Sequence, residues 1–313
     1  MVQGIIKLAE KAMGKEKGVL SADPRVLYKQ ERQLINQSFF FAGPSAAEAG
    51  PSAAEAGSNG KGVLLVHGWS STAYEVRRLG KYLNENGYTV YGLMLAGHGT
   101  VPRDLENVKA EDWIADVEKG YAKLKTTCDK VYVAGTSIGA SIALILAEQE
   151  KEMAGLVLMA TPHKLRFEKI GVALVKLVLL FNSKQYRTKF YPPTFGASDS
   201  ITRMISYQSY PVASVLEVFE LVRRARKNLG SISQPCLLMQ STHDHMVAKD
   251  SMEKIYAKIN SKQKRKSTFR RLITLSFLTS KTSTCFGISW NFLIVTRNRC
   301  ETTKRIRIYE IKK

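Results

Sequence analysis

Lys130 to Gln149 reads KVYVAGTSIGASIALILAEQ, and the reading of this stretch decides the fold. KVYVA is an aliphatic, β-branched run of the kind found in strands covered on both faces. Ile138 to Gln149 is apolar almost all round, which predicts a buried helix. Between them stands Gly135-Thr136-Ser137-Ile138-Gly139, a G-x-S-x-G pattern. The pattern by itself is common by chance. Strand, tight turn and helix in immediate succession are what a nucleophile elbow requires. So sharp a turn leaves no room for side chains two residues to either side of the serine, hence the glycines. Ser137 is then held beyond the sheet, at the positive end of the helix dipole.

Upstream, Gly62 to Val66 (GVLLV) and Tyr88 to Leu95 (YTVYGLML) read as strands. The helix between them carries Val76, Leu79 and Leu83 on one stripe and stops at Gly87. Trp113, Val117, Tyr121 and Leu124 set a helix before KVYVA, while Gly155 to Ala160 (GLVLMA) and Cys236 to Gln240 (CLLMQ) read as strands after it. Strands alternating with helices predict an α/β fold with a mostly parallel, doubly covered sheet. Residues 163–230 break the rhythm. They hold an apolar helix over Ile170 to Phe181, a polar loop at Tyr191-Pro192-Pro193 and a helix bearing Val215, Val218 and Leu221. An insertion of that kind between two strands predicts a helical cap over the strand ends, where ligands of such sheets bind. The core is then split into residues 35–162 and 231–260, preceded by an N-terminal helical segment, 1–34. Within 43–60 the unit GPSAAEA occurs twice in succession, from Gly43 and from Gly50, and reads as a flexible loop.

Charge is the other irregularity. The 313 residues hold 47 Lys and Arg against 27 Asp and Glu, a net of +20. Residues 261–313 contain 14 of the basic residues and only two acids, Glu301 and Glu310, so this segment accounts for +12 and residues 1–260 for +8. It also lacks Ala, Pro, Asp and His. Such a composition break marks an off-pattern tail rather than a nucleic-acid surface, because no regular aromatic interleaving accompanies the charge. No nucleic acid is expected as a partner. Met1 to Asp23 lacks the apolar stretch of a signal peptide, and no apolar run reaches the roughly 18 residues of a membrane span. Four scattered cysteines suggest a reducing, cytoplasmic setting rather than a disulfide framework. No metal-ligating constellation is present, and none is needed.

Acyl chemistry at Ser137 needs donors for a developing oxyanion. The amide of Ile138 is one candidate, and the amide of Trp69, in His67-Gly68-Trp69 after GVLLV, is the other. In this kind of fold the order is serine, acid, histidine. Asp244, just past CLLMQ, stands where the acid belongs. The five histidines are His67, His98, His163, His243 and His245, so none follows the acid at the usual distance. The base is therefore unassigned, with His163 an outside candidate.

GVLLVHGW, LMLAGHGT, VAGTSIGA and LLMQSTHDHMV, with SYPVASVLEVFELVRRAR in the cap, resemble the bacterial carboxylesterase and monoacylglycerol lipase group of α/β-hydrolases over about residues 35–260. The resemblance implies an α/β-hydrolase fold and a serine esterase acting on small-molecule acyl esters without a cofactor. Ser137 would be its nucleophile, Asp244 its triad acid, and Trp69 and Ile138 its oxyanion hole. Beyond about Lys266 the chain departs from the family, which continues with a short strand, a histidine and a closing helix. If Leu272, Ile273 and Thr274 were encoded CTC ATC ACN, reading across the codon boundaries would give His-His. Permitted codons through Ser280 continue it to Ile-Ile-Ile-Leu-Asp-Lys, and the preferred hypothesis is that a frameshift near residues 266–271 replaced the catalytic histidine and last helix. Two outcomes stand open: an ester hydrolase, or a crippled hydrolase that binds ligand and hardly turns it over.

Overall fold

The computed structural model describes residues 34–43, 60–165, 168–181, 185–188, 206–207, 209–242, 244 and 247–269. Most of the expected N-terminal helical segment, most of the duplicated loop and nearly all of the basic tail lie outside the described residues. Seven strands form the main sheet: β1 (Phe39–Phe41), β2 (Lys61–Val66), β3 (Thr89–Leu93), β4 (Lys130–Thr136), β5 (Gly155–Met159), β8 (Cys236–Ser241) and β9 (Lys264–Phe269). Their spatial order is β1-β3-β2-β4-β5-β8-β9. Every neighbouring pair is parallel except β1 with β3. Helices α1 (Arg77–Glu85), α2 (Ala110–Lys125), α3 (Ile138–Gln149) and α6 (Ser251–Lys258) make crossovers. Between β5 and β8 the chain carries α4 (Glu168–Phe181), the hairpin β6 (Tyr186–Thr188) and β7 (Ser209–Pro211), and α5 (Val212–Lys227).

The continuous apolar runs follow from a sheet buried on both sides. In β2, Leu64 and Val66 enter the core beneath α2 and α3, while Val63 and Leu65 enter the opposite core with Leu79 and Leu83 of α1. That two-residue alternation within an unbroken apolar run is the strand period meeting two hydrophobic layers. Trp113, Val117, Tyr121 and Leu124 of α2 are buried on one stripe. Trp113 is fully enclosed, and its indole N–H donates to the Ala96 carbonyl at 2.9 Å, which ties α2 to the turn after β3. α3 is buried over ten consecutive residues, from Ile138 to Ala147. Its lack of a polar face reflects a position between the sheet and α5.

The sheet extends past residue 260, the expected end of the core. β9 pairs with β8 from Cys236 opposite Lys264 to Ser241 opposite Phe269. The composition break at 261 is therefore not the edge of the fold. Of the three consecutive basic residues that open this strand, Lys264 and Lys266 have their ammonium groups engaged. Lys264 Nζ donates to the carbonyls of Tyr256 and Ile259 at 2.8 and 2.6 Å, at the C-terminal end of α6. Lys266 pairs with Glu253 of the same helix. Cations at a helix C-terminus complement its dipole and its unsatisfied carbonyls, and lysines on a terminal strand discourage edge-to-edge association. A chain ended after Asn260 should melt well below one ended after Phe269. A loss of about 3 kcal/mol or more corresponds to roughly 6–12 °C at this size, and calorimetry of the two truncations measures it.

Candidate active site

Ser137 joins β4 to α3 with φ 54° and ψ −115°. A positive φ is uncommon for a residue with a side chain and is kept only where its surroundings enforce it. Two glycines do so. A Cβ on Gly135 would stand 2.3 Å from the carbonyl carbon of Gly139, inside the turn itself. One on Gly139 would stand 2.4 Å from the Val66 carbonyl oxygen and 2.7 Å from that of His67. The first glycine is required by the sharpness of the elbow, as the sequence suggests. The second is required by the end of β2, which passes directly over the first turn of α3. The Ser137 amide donates to Met159 at 2.9 Å and holds the elbow to β5.

The segment after β2 faces the serine. A Cβ on Gly68 would lie 3.6 Å from Ser137 Cβ, so the backbone here approaches the nucleophile closely. The Gly68 amide donates to Glu75 Oε2 at 3.1 Å, the Ser70 amide to His98 Nε2 at 2.9 Å, and the Ser71 amide to the Gly68 carbonyl at 3.2 Å. Among the described residues the Trp69 amide makes no hydrogen bond. Ile138, as the first residue of α3, has no acceptor for its amide within the helix. Neither amide proposed from sequence is thus committed to a partner in the local structure.

His67 and His98 hold this arrangement. His67 Nδ1 donates to the Gly68 carbonyl at 2.8 Å, and its Nε2 accepts the Leu95 amide at 3.1 Å. His98 Nδ1 donates to the Ala96 carbonyl and its Nε2 accepts from Ser70, each at 2.9 Å. Each imidazole spends one nitrogen as donor and the other as acceptor, which fixes the neutral tautomer. Burial, reinforced by His98 with its ring centroid 5.0 Å away, pushes the His67 pKa down to about 3. Both rings fasten the loop after β2 to the loop after β3. Glu75, almost fully buried, was not singled out from sequence, because an acid in a helix's first turn is ordinarily solvated. Only its hydrogen bond from the Gly68 amide distinguishes it.

Asp244 lies in the loop after β8 and is 4 % exposed. Its Oδ1 accepts the Val247 amide at 2.9 Å, and its own amide donates to Ser241 at 3.3 Å. Trp69, Ser137, His163 and Asp244 follow β2, β4, β5 and β8 and so share the carboxyl edge of the sheet. His163 Nε2 is 3.4 Å from Lys258 Nζ of α6. Burial first, then Lys258, Lys254 and Arg226, lower its pKa. No hydrogen bond joins its ring to Ser137 or Asp244 among the described residues. His243 and His245 lie outside them. Among the described residues no group of three His, Cys, Asp or Glu side chains is placed to hold a metal.

An elbow serine at the carboxyl edge of a parallel sheet, facing a glycine-backed amide, defines the α/β-hydrolase class. The chain belongs to the family described as serine aminopeptidase, S33, which it matches over residues 57–273. It is 30% identical over 205 residues to a thermostable monoacylglycerol lipase of Bacillus sp. (strain H-257), a match spanning 65% of this chain and 78% of that one. A carboxylesterase of Bacillus subtilis (strain 168) is likewise 30% identical over 205 residues, spanning 65% of this chain and 80% of the relative. Among solved structures, one from work on the metagenome-derived lipolytic enzymes LipS and LipT superposes with a TM-score of 0.70 at 22% identity, covering 83% of this chain and 98% of that one. A soluble variant of the Saccharomyces cerevisiae monoglyceride lipase superposes with a TM-score of 0.64 at 19% identity, covering 85% and 92%. These superpositions share the fold.

Two outcomes follow. Gly139→Ala forces its methyl against the Val66 carbonyl and should destabilise the chain by about 1–3 kcal/mol, as overpacking does; urea denaturation measures it. Between pH 6.5 and about 3 the unfolded chain protonates His67 while the folded chain does not. Stability should then fall with falling pH by up to ~1.4 kcal/mol per pH unit from this group, and be fully present above its unfolded pKa. His67→Gln should flatten the acid limb of a Tm-versus-pH profile.

Proposed function

We propose that the chain hydrolyses carboxylic esters of small molecules, of the short to medium acyl and monoacylglycerol class, through an acyl-serine intermediate. Ser137 Oγ attacks the ester carbonyl, and the Trp69 and Ile138 amides receive the oxyanion. Collapse expels the alcohol, and water then releases the acid. Asp244 is the triad acid that orients the base. The observation that carries this reading is the uncommitted Trp69 amide beside a serine held at positive φ. The monoacylglycerol lipase and carboxylesterase relatives favour an ester over a peptide. Cys128 and Cys236 are free and buried, which suits a reducing, cytoplasmic setting.

The base belongs just beyond β9. Phe269 is opposite Ser241, three residues before Asp244, so the chain leaving β9 starts beside the acid's loop. The alternative frame puts its two histidines across codons 272–274, shortly after Phe269 in sequence, and this supports the frameshift account over His163. Sequencing the gene checks the frame. The frame-restored chain should hydrolyse p-nitrophenyl butyrate at least about 10³-fold faster than the chain as written, since loss of a triad base costs several orders of magnitude. Ser137→Ala in the restored chain should remove that gain. Equal rates for the restored chain and its Ser137→Ala variant would overturn the reading.

A further inference from the structure

A groove opens between α4, the β6–β7 hairpin and the start of α5, with a volume of about 190 Å³. Leu174, Val175 and Val178 line one side, and Val212 and Val215 the other. Two residues of the hairpin complete it, Tyr210 and Arg187, and Arg187 is its one charged lining residue. They are directly paired across the two strands, so their side chains leave on the same face. The hairpin is fixed rather than free. The Val212 amide donates to the Gln185 carbonyl at 2.8 Å, and the Tyr186 hydroxyl, on the adjacent position of β6, donates to Glu106.

The groove connects to the reacting centre by contact. The Tyr210 ring packs edge-on against Trp69 with centroids 4.7 Å apart, and Trp69 follows the glycine that lies against Ser137. Arg187 is exposed at the groove and forms no ion pair among the described residues. An aliphatic trough ending in an unpaired guanidinium is complementary to an amphipathic anion. Its hydrocarbon part loses water against Leu174, Val178 and Val215, and its anionic group meets a planar fork suited to carboxylate or phosphate.

We propose that Arg187 is a specificity-determining residue that selects esters carrying a carboxylate or phosphate separated from the scissile carbonyl by an apolar spacer. The proposal rests on Ser137 as the reacting residue, and its test needs no turnover. The full chain with Ser137→Ala would be titrated calorimetrically, below micelle-forming concentrations, with dodecanedioic acid monomethyl ester, dodecyl phosphate and methyl dodecanoate. The anionic ligands should bind at least about tenfold more tightly than the neutral one, and this preference should weaken with salt. Adding Arg187→Ala should abolish the preference without weakening methyl dodecanoate, and Arg187→Lys should restore part of it. A tighter dodecanedioate half-ester points to an anion on the acyl side, and a tighter dodecyl phosphate to one on the alcohol side. Equal binding of charged and neutral ligands, no binding at all, or the same loss for both on Arg187→Ala would overturn the proposal. Because binding is read without catalysis, a failed hydrolysis assay leaves these differences standing, and their failure leaves the hydrolysis assay untouched.

Discussion

The approach of backbone to backbone at the end of β2 governs the site. Val66 and His67 present their carbonyls to Gly139 at a distance that any side chain would block. That contact sets how far the loop after β2 stands from the elbow, and so where the Trp69 amide lies relative to Ser137. On the proposed reading that amide is an oxyanion donor, which acts by being in position before charge develops. The rigidity comes from a close-packed junction of two main-chain segments, and the glycines are its consequence.

The same loop is fastened from its other side by neutral groups. His67 and His98 each use both ring nitrogens on main-chain partners, and Glu75 takes the Gly68 amide. The arrangement satisfies the Gly68 and Ser70 amides on either side of Trp69 and leaves the Trp69 amide uncommitted. A charged imidazole would lose its acceptor and release either Leu95 or Ser70. Burial, which drives the His67 pKa down, thereby protects the geometry of the loop after β2. Histidines in glycine-rich turns near an elbow serine invite a catalytic reading. Here their ring nitrogens are already engaged, and their contribution is to position the loop.

Much of this was legible in the chain because it rests on local pattern. KVYVA followed by G-T-S-I-G and an apolar run fixes strand, elbow and helix, and α3 begins and ends at the expected residues, Ile138 and Gln149. The central strands were readable for the same reason, each being an apolar run buried on both faces. The elements that escaped are the short or polar ones. β1 is three residues, FFF, and β6 and β7 are three residues each, too short to show a period. β9 reads KRKSTF, with no core-facing pattern, because its place is fixed by pairing with β8 and by lysines reaching α6. Glu75 left no trace, since its role depends on a fold that brings Gly68 back to it.

The basic segment changes meaning once β9 is in the sheet. Its first turn of charge is structural: Lys264 satisfies the last carbonyls of α6 and Lys266 pairs with Glu253, so these cations belong to the hydrolase core. Of the net +12 carried by residues 261–313, +4 falls on residues 261–269, up to the end of β9 at Phe269. That point lies beside Ser241 at the carboxyl edge, next to the loop of Asp244. In a parallel sheet the carboxyl ends of the strands line the ligand-binding edge, and β9 ends there with β4 and β8. A histidine there would complete a serine, acid and base drawn from β4, β8 and β9 in chain order, whereas the written sequence supplies Arg270, Arg271 and Leu272. On the proposed reading, a single change of reading frame would account for both the off-pattern composition and the missing base.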